Sequence, residues 1–311
     1  MVKIYLITGF LGAGKTSFLN YRLQQTKAKV GVLMNEFGKI SMDTIAVQRN
    51  GIDLLELKNG SIFCACLKDK FIEGLEVLVK TDLDEIYIEG SGLADPSDMG
   101  KVVEVLTKLV GKDVFEFKGT VCLVDGLYFE AELAKMVSVE RQIAHSHHIL
   151  INKTDLIDEK QLAVIVDKIK AINPKVGITP VTYGEADFDK LDLVYYHIED
   201  EETTNRKDNR PKNIVIKFTH PPEMDQLKGF LQKMSSHFFR IKGFVEVDQC
   251  WFKVDLVNEQ IDILPYVVAE EDREKEGYNE LVCLSSQGIS SISHLAVTAE
   301  KELSMIYTIE M

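Results

Sequence analysis

The sequence lacks any apolar run long enough to cross a membrane, and it has no surplus of basic residues. Its 311 residues include 49 acidic and 36 basic side chains, which gives a formal net charge of −13. A membrane-spanning helix needs about 20 consecutive apolar residues, and a general nucleic-acid binder needs a basic face for phosphate contacts. We therefore expect neither a membrane anchor nor a nucleic-acid partner, and we ascribe the acidic charge to solubility.

Cysteine is also scarce. The chain has five cysteines, and they show none of the regular spacing of a disulfide framework. Free thiols in a chain of this length are typical of a reducing compartment. Met1 leads directly into a predicted core strand, so we expect no cleaved signal peptide and assign the protein to the cytoplasm.

The length of the chain suits two domains, each with its own core. Strands alternate with helices up to about residue 190, which predicts an α/β fold with a mostly parallel sheet flanked by helices. Residues 199–211 then offer no apolar side chain to bury and read as part of an exposed linker. We predict a nucleotide-binding domain over 1–193, a linker over 194–212, and a smaller α+β domain over 213–311.

The strongest motif is the glycine-rich loop G-F-L-G-A-G-K-T at residues 9–16. It fits G-x-x-x-x-G-K-[ST] and lies between a predicted strand and a predicted helix, where backbone N–H groups and the helix dipole converge on phosphates. We expect Lys15 to reach the β- and γ-phosphates as a catalytic residue, and the Thr16 hydroxyl to ligate Mg²⁺. The phosphate-binding residues predicted in this loop are Gly9, Gly12, Ala13, Gly14, Lys15, Thr16 and Ser17.

A second motif, N-K-T-D at residues 152–155, follows a short predicted strand. The Asp155 carboxylate can accept two hydrogen bonds from the N1–H and exocyclic amine of guanine, which adenine does not offer. Asn152 would contact the N7 side of the base, and the stem of Lys153 would pack along it. The motif therefore predicts GTP and GDP rather than adenine nucleotides.

A third element lies at the end of another predicted core strand. Glu89 is the kind of acidic residue that a site for Mg²⁺ and its waters needs, and we predict for it both metal-binding and catalytic roles. Gly92, three residues later, would let the backbone approach the γ-phosphate in the manner of a switch loop.

These elements, together with N-E-F-G at residues 35–38 and E-G-S-G-L-A-D-P at residues 89–96, resemble the CobW-type GTPases. That family belongs to the SIMIBI class of P-loop proteins, and several members are metal chaperones or insertases. The resemblance covers about the first 190 residues, and more loosely the family's C-terminal domain. It implies slow GTP hydrolysis coupled to delivery of a metal ion, of the zinc or cobalt type, to a client protein or cofactor pathway.

The family's metal motif, Cys-x-Cys-Cys after an Asn-Gly, is altered here. Aligned on Asn59-Gly60, its three cysteine places hold Ser61, Phe63 and Cys64. Cys66 lies just beyond, so Cys64 and Cys66 can share a metal but cannot fill a tetrahedral site alone. The resemblance implies Glu36 as a third ligand, and soft thiolates favour Zn²⁺ or another thiophilic ion.

Other assignments remain open at this point. Since Glu36 is a candidate metal ligand, we favour Asp43, in the same polar loop, as the carboxylate that positions the attacking water. A nucleotide-dependent homodimer is suggested by class analogy alone.

The altered cysteine motif keeps a second interpretation open, a GTP-dependent assembly factor for a corrinoid or other cofactor enzyme that binds no metal itself. A small-molecule kinase is a third interpretation, and residues 152–155 argue against it.

Three histidines, His145, His147 and His148, precede the guanine motif. Their clustering could ligate a metal, but we expect them to be surface residues at the end of a helix. The linker has only His197 nearby, so we expect no histidine-rich tract for metal storage.

Overall fold

The computed structural model describes residues 1–35, 53–57, 68–191, 193–199, 212–268, 278–285, 289–303 and 307–310. These residues belong to two compact units, the first containing the described residues up to 199 and the second those from 212 onward. Each unit has its own sheet. The predicted α/β fold and the separate α+β domain are confirmed, whereas the exact boundaries at 193 and 213 stay a prediction.

The first unit contains a seven-stranded sheet in the order β3-β2-β4-β1-β5-β6-β7. Every strand pairing described in it is parallel. Its strands are β1 (Val2–Gly9), β2 (Val30–Asn35), β3 (Asp53–Leu57), β4 (Glu85–Glu89), β5 (Phe115–Asp125), β6 (His148–Asn152) and β7 (Gly177–Pro180). Its helices are α1 (Lys15–Gln25), α2 (Lys68–Val79), α3 (Met99–Val110), α4 (Phe129–Lys135), α5 (Val137–Ala144) and α6 (Glu159–Ile172).

The central strands of this sheet are covered on both faces. All residues of β4 and β6 are buried, and all residues of β1 except Lys3 are buried. Apolar runs without alternation are typical of parallel strands that carry helices on both sides. Since ligands bind beyond the carboxyl ends of such strands, this packing places the motifs that follow β1, β4 and β6 at one edge of the sheet.

The second unit contains a six-stranded sheet in the order β11-β10-β9-β12-β8-β13. Every pairing described between these strands is antiparallel. The strands are β8 (Lys212–Phe218), β9 (Arg240–Val247), β10 (Cys250–Val257), β11 (Gln260–Tyr266), β12 (Glu280–Ser285) and β13 (Tyr307–Glu310). The helices α7 (Met224–Met234) and α8 (Ile289–Leu303) cover one face through Leu227, Leu231 and Leu295. No helix in the described ranges is both long and apolar enough to span a membrane.

Candidate nucleotide-binding site

The loop between β1 and α1 needs glycine at several positions. Gly9, Gly12 and Gly14 have φ values of 136°, 77° and 99°, a region that side chains with a Cβ rarely adopt. Space is also short, since a Cβ on Gly14 would lie 2.3 Å from Nδ2 of Asn152, and one on Gly9 would lie 2.3 Å from the carbonyl oxygen of Leu123. The loop therefore packs closely against the backbone of β5 and against the Asn152 side chain at the end of β6.

Helix α1 begins at Lys15 with its first N–H groups directed toward this loop. Gly14 is the N-cap, and among the described residues no side chain caps this end and no acidic residue lies in the first turn. The uncapped N–H groups and the helix dipole form an anion site. Lys15 is 8% exposed, and its ammonium donates to the carbonyl oxygens of Gly9 (2.9 Å) and Phe10 (3.0 Å). The Lys15 ammonium and the N–H groups at the start of α1 therefore both lie at the glycine-rich loop.

Two residues predicted to hold Mg²⁺ are in direct contact. The Thr16 hydroxyl donates to Oε1 of Glu89 over 2.9 Å. Glu89 is buried at the end of β4, where it pairs in register with Ile7 of β1. A hydroxyl and a carboxylate are oxygen ligands of the kind that Mg²⁺ prefers. The residues present therefore fit a magnesium ion beside the glycine-rich loop.

The turn that follows Glu89 lies against the same loop. A Cβ on Gly92 would lie 2.5 Å from Cδ2 and 2.9 Å from the backbone nitrogen of Leu11. The side-chain amide of Gln142, which is 1% exposed, donates to the carbonyl oxygens of Ala94 (2.9 Å) and Gly92 (3.3 Å). Gln142 was not predicted, because one glutamine in a helix forms no sequence pattern. It fixes the shape of the turn from the α5 side.

Asn152 connects three parts of the site. Its Nδ2 donates to the carbonyl oxygen of Ala13 over 2.9 Å, and its Oδ1 accepts a hydrogen bond of 2.9 Å from the Gly184 N–H. Asn152 is 2% exposed. The side chain therefore joins the glycine-rich loop to the segment that follows β7.

The next residue of the guanine motif, Lys153, is positioned by an ion pair with the end of β5. Lys153 has a left-handed backbone with φ of 60°, and its Nζ pairs with Oδ2 of Asp125 over 2.7 Å. Asp125, at the end of β5, is buried, and its other oxygen accepts hydrogen bonds from the N–H groups of Leu127 and Tyr128. Asp155 follows in a short 3₁₀ turn and is exposed. Asp125 was not predicted, although it ends a predicted strand.

Several predicted residues lie outside the described residues. They are Glu36, Asp43, Cys64 and Cys66. Within the described ranges, no group of three or more His, Cys, Asp or Glu side chains could hold a metal ion. The described cysteines include Cys122, whose buried thiol has a pKa raised by desolvation to about 12. A thiol of this kind stays protonated and inert.

The expectation that the three histidines lie on the surface is wrong. His145, His147 and His148 are 6%, 5% and 3% exposed. Nδ1 of His147 accepts a 3.0 Å hydrogen bond from the Thr120 N–H, and its Nε2 donates to the carbonyl oxygen of Tyr196 over 3.0 Å. Only neutral imidazole can make this pair of bonds. The ring also stacks on Tyr195. His147 therefore has a structural role, because its ring packs against Tyr195 and is hydrogen-bonded to Tyr196.

Low pH should destabilise the packing around His147. Burial lowers the pKa of His147 below its usual value, so the unfolded chain binds a proton more readily than the folded one. The contribution of His147 to the free energy of unfolding should be constant above a pH of about 6.5 and fall below it, by up to ~1.4 kcal/mol per pH unit until the folded pKa is reached. Urea denaturation at pH 7.5 and 5.5 measures this, and His147→Gln should reduce the difference. An equal difference in both proteins would contradict the assignment.

Comparison with known proteins agrees with this geometry. Residues 3–180 match the family model described as "CobW/HypB/UreG, nucleotide-binding domain". The chain is 26% identical over 270 residues to the zinc chaperone YjiA of Escherichia coli, covering 79% of this chain and 82% of that protein. It is 33% identical over 196 residues to the zinc-regulated GTPase metalloprotein activator 1 of Schizosaccharomyces pombe, covering 60% of this chain and 47% of that protein.

A solved structure is also similar to this chain. The crystal structure of Zn(II)-bound YjiA GTPase from E. coli aligns with a TM-score of 0.48 and 21% identity, covering 96% of this chain and 98% of that one. This chain spans about half the length of the S. pombe relative. Since the family model covers more than half of the sequence, the chain belongs to the CobW/HypB/UreG family, and its first unit is a nucleotide-binding domain of that family.

Proposed function

We propose that the protein binds GTP with Mg²⁺, hydrolyses it slowly, and uses its nucleotide state to control delivery of a metal ion to a client protein. One observation carries the nucleotide part of this proposal, the hydrogen bond between the Asn152 amide and the carbonyl oxygen of Ala13. This bond holds the motif for guanine against the loop for phosphates, which supports the binding of one nucleotide by both.

The roles of the phosphate-binding residues follow from their positions. The ammonium of Lys15 would exchange its bonds to Gly9 and Phe10 for bonds to the β- and γ-phosphates, where charge develops during transfer. Thr16 and Glu89 would hold Mg²⁺, which when bound supplies positive charge to the phosphate oxygens. Gly92 would present its backbone to the γ-phosphate, and Asp43 would orient the attacking water.

The base would be held by the second motif. The exposed carboxylate of Asp155 would accept the two N–H groups of guanine, and the stem of Lys153, positioned by Asp125, would lie along the base. Both polar groups of the Asn152 amide are already paired within the protein. Its contact with N7 of the base remains part of the proposal and would be additional to these two bonds.

Two relatives support the metal part of the proposal, since one is a zinc chaperone and the other a zinc-regulated GTPase metalloprotein activator. In this chain the ligands would be Cys64, Cys66 and Glu36, with zinc favoured over cobalt because thiolates are soft ligands. In sequence, Glu36 directly follows β2, and Cys64 and Cys66 follow β3; these two strands are neighbours in the sheet. We further propose a cytoplasmic location and a nucleotide-dependent homodimer.

Coupling between metal and nucleotide is tested by titrating Zn²⁺ into the protein with GDP and with a non-hydrolysable GTP analogue. We expect zinc affinity to differ by fivefold or more between the two states, a typical coupling of about 1 kcal/mol. The double variant Cys64→Ser and Cys66→Ser should lose most of the zinc affinity while it keeps GTP affinity. Equal zinc affinities in both nucleotide states would exclude the coupling.

A second function is favoured by the altered motif, in which Ser61 and Phe63 stand at cysteine places. In that case the protein would be a GTP-dependent assembly factor for a corrinoid or other cofactor enzyme, with no metal of its own. The serine variants described above would then support client activation as well as the wild type does. Metal content of the purified protein, measured with its stoichiometry, separates the two functions.

Gln142 should affect how the protein distinguishes GTP from GDP. Gln142→Glu keeps the size of the side chain but places a carboxylate against the carbonyl oxygens of Gly92 and Ala94, so the turn must move. We expect the ratio of GTP-analogue to GDP affinity to change about tenfold, with purine selectivity unchanged. Calorimetry measures both. Gln161→Glu, at an exposed position on α6, is the control, and an unchanged affinity ratio in Gln142→Glu would contradict this role.

A further inference from the structure

The turn that follows β7 carries a tyrosine at a position where turns of its type favour asparagine, aspartate or glycine. A 2.9 Å hydrogen bond from the Glu185 N–H to the Thr182 carbonyl oxygen closes it. Its two central residues, Tyr183 and Gly184, have φ values of 55° and 72°. Turns with two left-handed central residues favour asparagine, aspartate or glycine at the first position, because other side chains are strained there.

Two turns of the second unit show the usual choice. Asp248 lies at the first position of the turn between β9 and β10, and Asn258 at that of the turn between β10 and β11, with φ values of 50° and 48°. Position 183 has the same conformation but carries a tyrosine. An asparagine there would be less strained, so the aromatic ring is kept at a cost in stability. Departures of this kind are expected at functional sites.

Core packing does not account for the ring. Tyr183 is 73% exposed. In the described part of the chain it has neither a hydrogen-bond partner nor a ring contact through its side chain. A large exposed aromatic side chain in a strained, well-fixed turn is available for a ligand.

The turn is fixed beside the guanine motif. The Gly184 N–H donates to Oδ1 of Asn152, and the Thr154 hydroxyl donates to the carbonyl oxygen of Val181 over 2.9 Å. These bonds reach the residues on either side of Lys153. Strands β6 and β7 are neighbours in the sheet, with Ile151 opposite Pro180. The two left-handed residues Lys153 and Tyr183 therefore follow adjacent strand ends.

We propose that Tyr183 is a base-binding residue, whose ring lies against one face of the nucleobase while the stem of Lys153 lies along the other. This inference rests on the proposed binding of GTP. A ring that contacts the π-face adds affinity for any purine, since every base has such a face. Selectivity for guanine then depends on Asp155, and Tyr183 contributes affinity for the base.

The test compares Tyr183→Asn with Tyr183→Phe and wild type by calorimetry with GDP, IDP and inorganic tripolyphosphate. Asparagine suits the turn, so its free energy of unfolding in urea should equal or exceed that of the wild type. We expect Tyr183→Asn to bind GDP and IDP about tenfold or more weakly, with the same factor for both. Tyr183→Phe should bind them as the wild type does, and tripolyphosphate affinity should be unchanged throughout.

Two results would overturn the inference. One is wild-type affinity of Tyr183→Asn for GDP, and the other is an equal loss of affinity for tripolyphosphate, which would indicate a distorted phosphate loop. Failure of the proposed function looks different, since wild-type protein, titrated with ADP as well, would then bind GDP no more tightly than ADP. The two failures are therefore distinguished by the wild-type measurements alone.

Discussion

Asp155→Asn should exchange guanine for xanthine as the preferred base. The variant loses the acceptor for the 2-amino group of guanine and gains an N–H that suits the 2-carbonyl of xanthine. The amide N–H of the variant would face an N–H donor of guanine, and polar groups left without partners in the complex reduce affinity sharply, so we expect GDP to bind about 1000-fold more weakly. XDP should bind the variant better than GDP does, whereas wild type prefers GDP. Calorimetry with both diphosphates measures the exchange.

The exposed position of Asp155 makes this substitution safe for folding. Asp167→Asn, the same change at an exposed position on α6, is the matched control and should bind both diphosphates as the wild type does. If Asp155→Asn kept its preference for GDP, the base would be recognised elsewhere and the assignment of residues 152–155 would be wrong.

Lys15→Met should nearly abolish hydrolysis of GTP. Methionine can occupy the buried path of the lysine stem, but it supplies neither the charge nor the donors that meet the γ-phosphate as negative charge develops there. Loss of one preorganised donor typically lowers kcat by about 100- to 1000-fold. Steady-state phosphate release at saturating GTP measures this effect, and urea denaturation establishes that the variant is folded.

The control for this experiment is Lys27→Met, which removes an exposed cation near the far end of α1. It should leave kcat within experimental error, since surface charges away from the site contribute little. A Lys15→Met protein that retained more than a tenth of wild-type kcat would argue that another group neutralises the transferred phosphate.

Much of the first unit could be predicted, because its signals are local. Residues 4–7 form an apolar run, a glycine-rich turn follows, and a helix begins at Lys15. In the second unit, β11 and β13 were not predicted. They are the two outer strands of their sheet, β11 contains Pro265, and their side chains are partly exposed. Edge strands that are half-exposed carry a weak apolar pattern.

The candidate site divides in the same way. Lys15, Thr16 and Asp155 belong to motifs with fixed spacing, and a sequence can reveal them. Gln142 and Asp125 act through bonds to distant loops, so only the folded chain indicates their positions. The burial of His147 could not be predicted either, since it depends on Gly119, where a Cβ would lie 3.0 Å from the imidazole ring.

The two hydrogen bonds of Asn152 have a consequence for experiments on selectivity. One amide supports both the cradle for phosphate and the turn beside the base. Any substitution at position 152 would therefore disturb affinity for inorganic tripolyphosphate and for guanosine together, and such a variant could not report on either fragment alone. Asp155, whose side chain has no hydrogen-bond partner in the described ranges, is the position from which purine preference can be re-engineered independently.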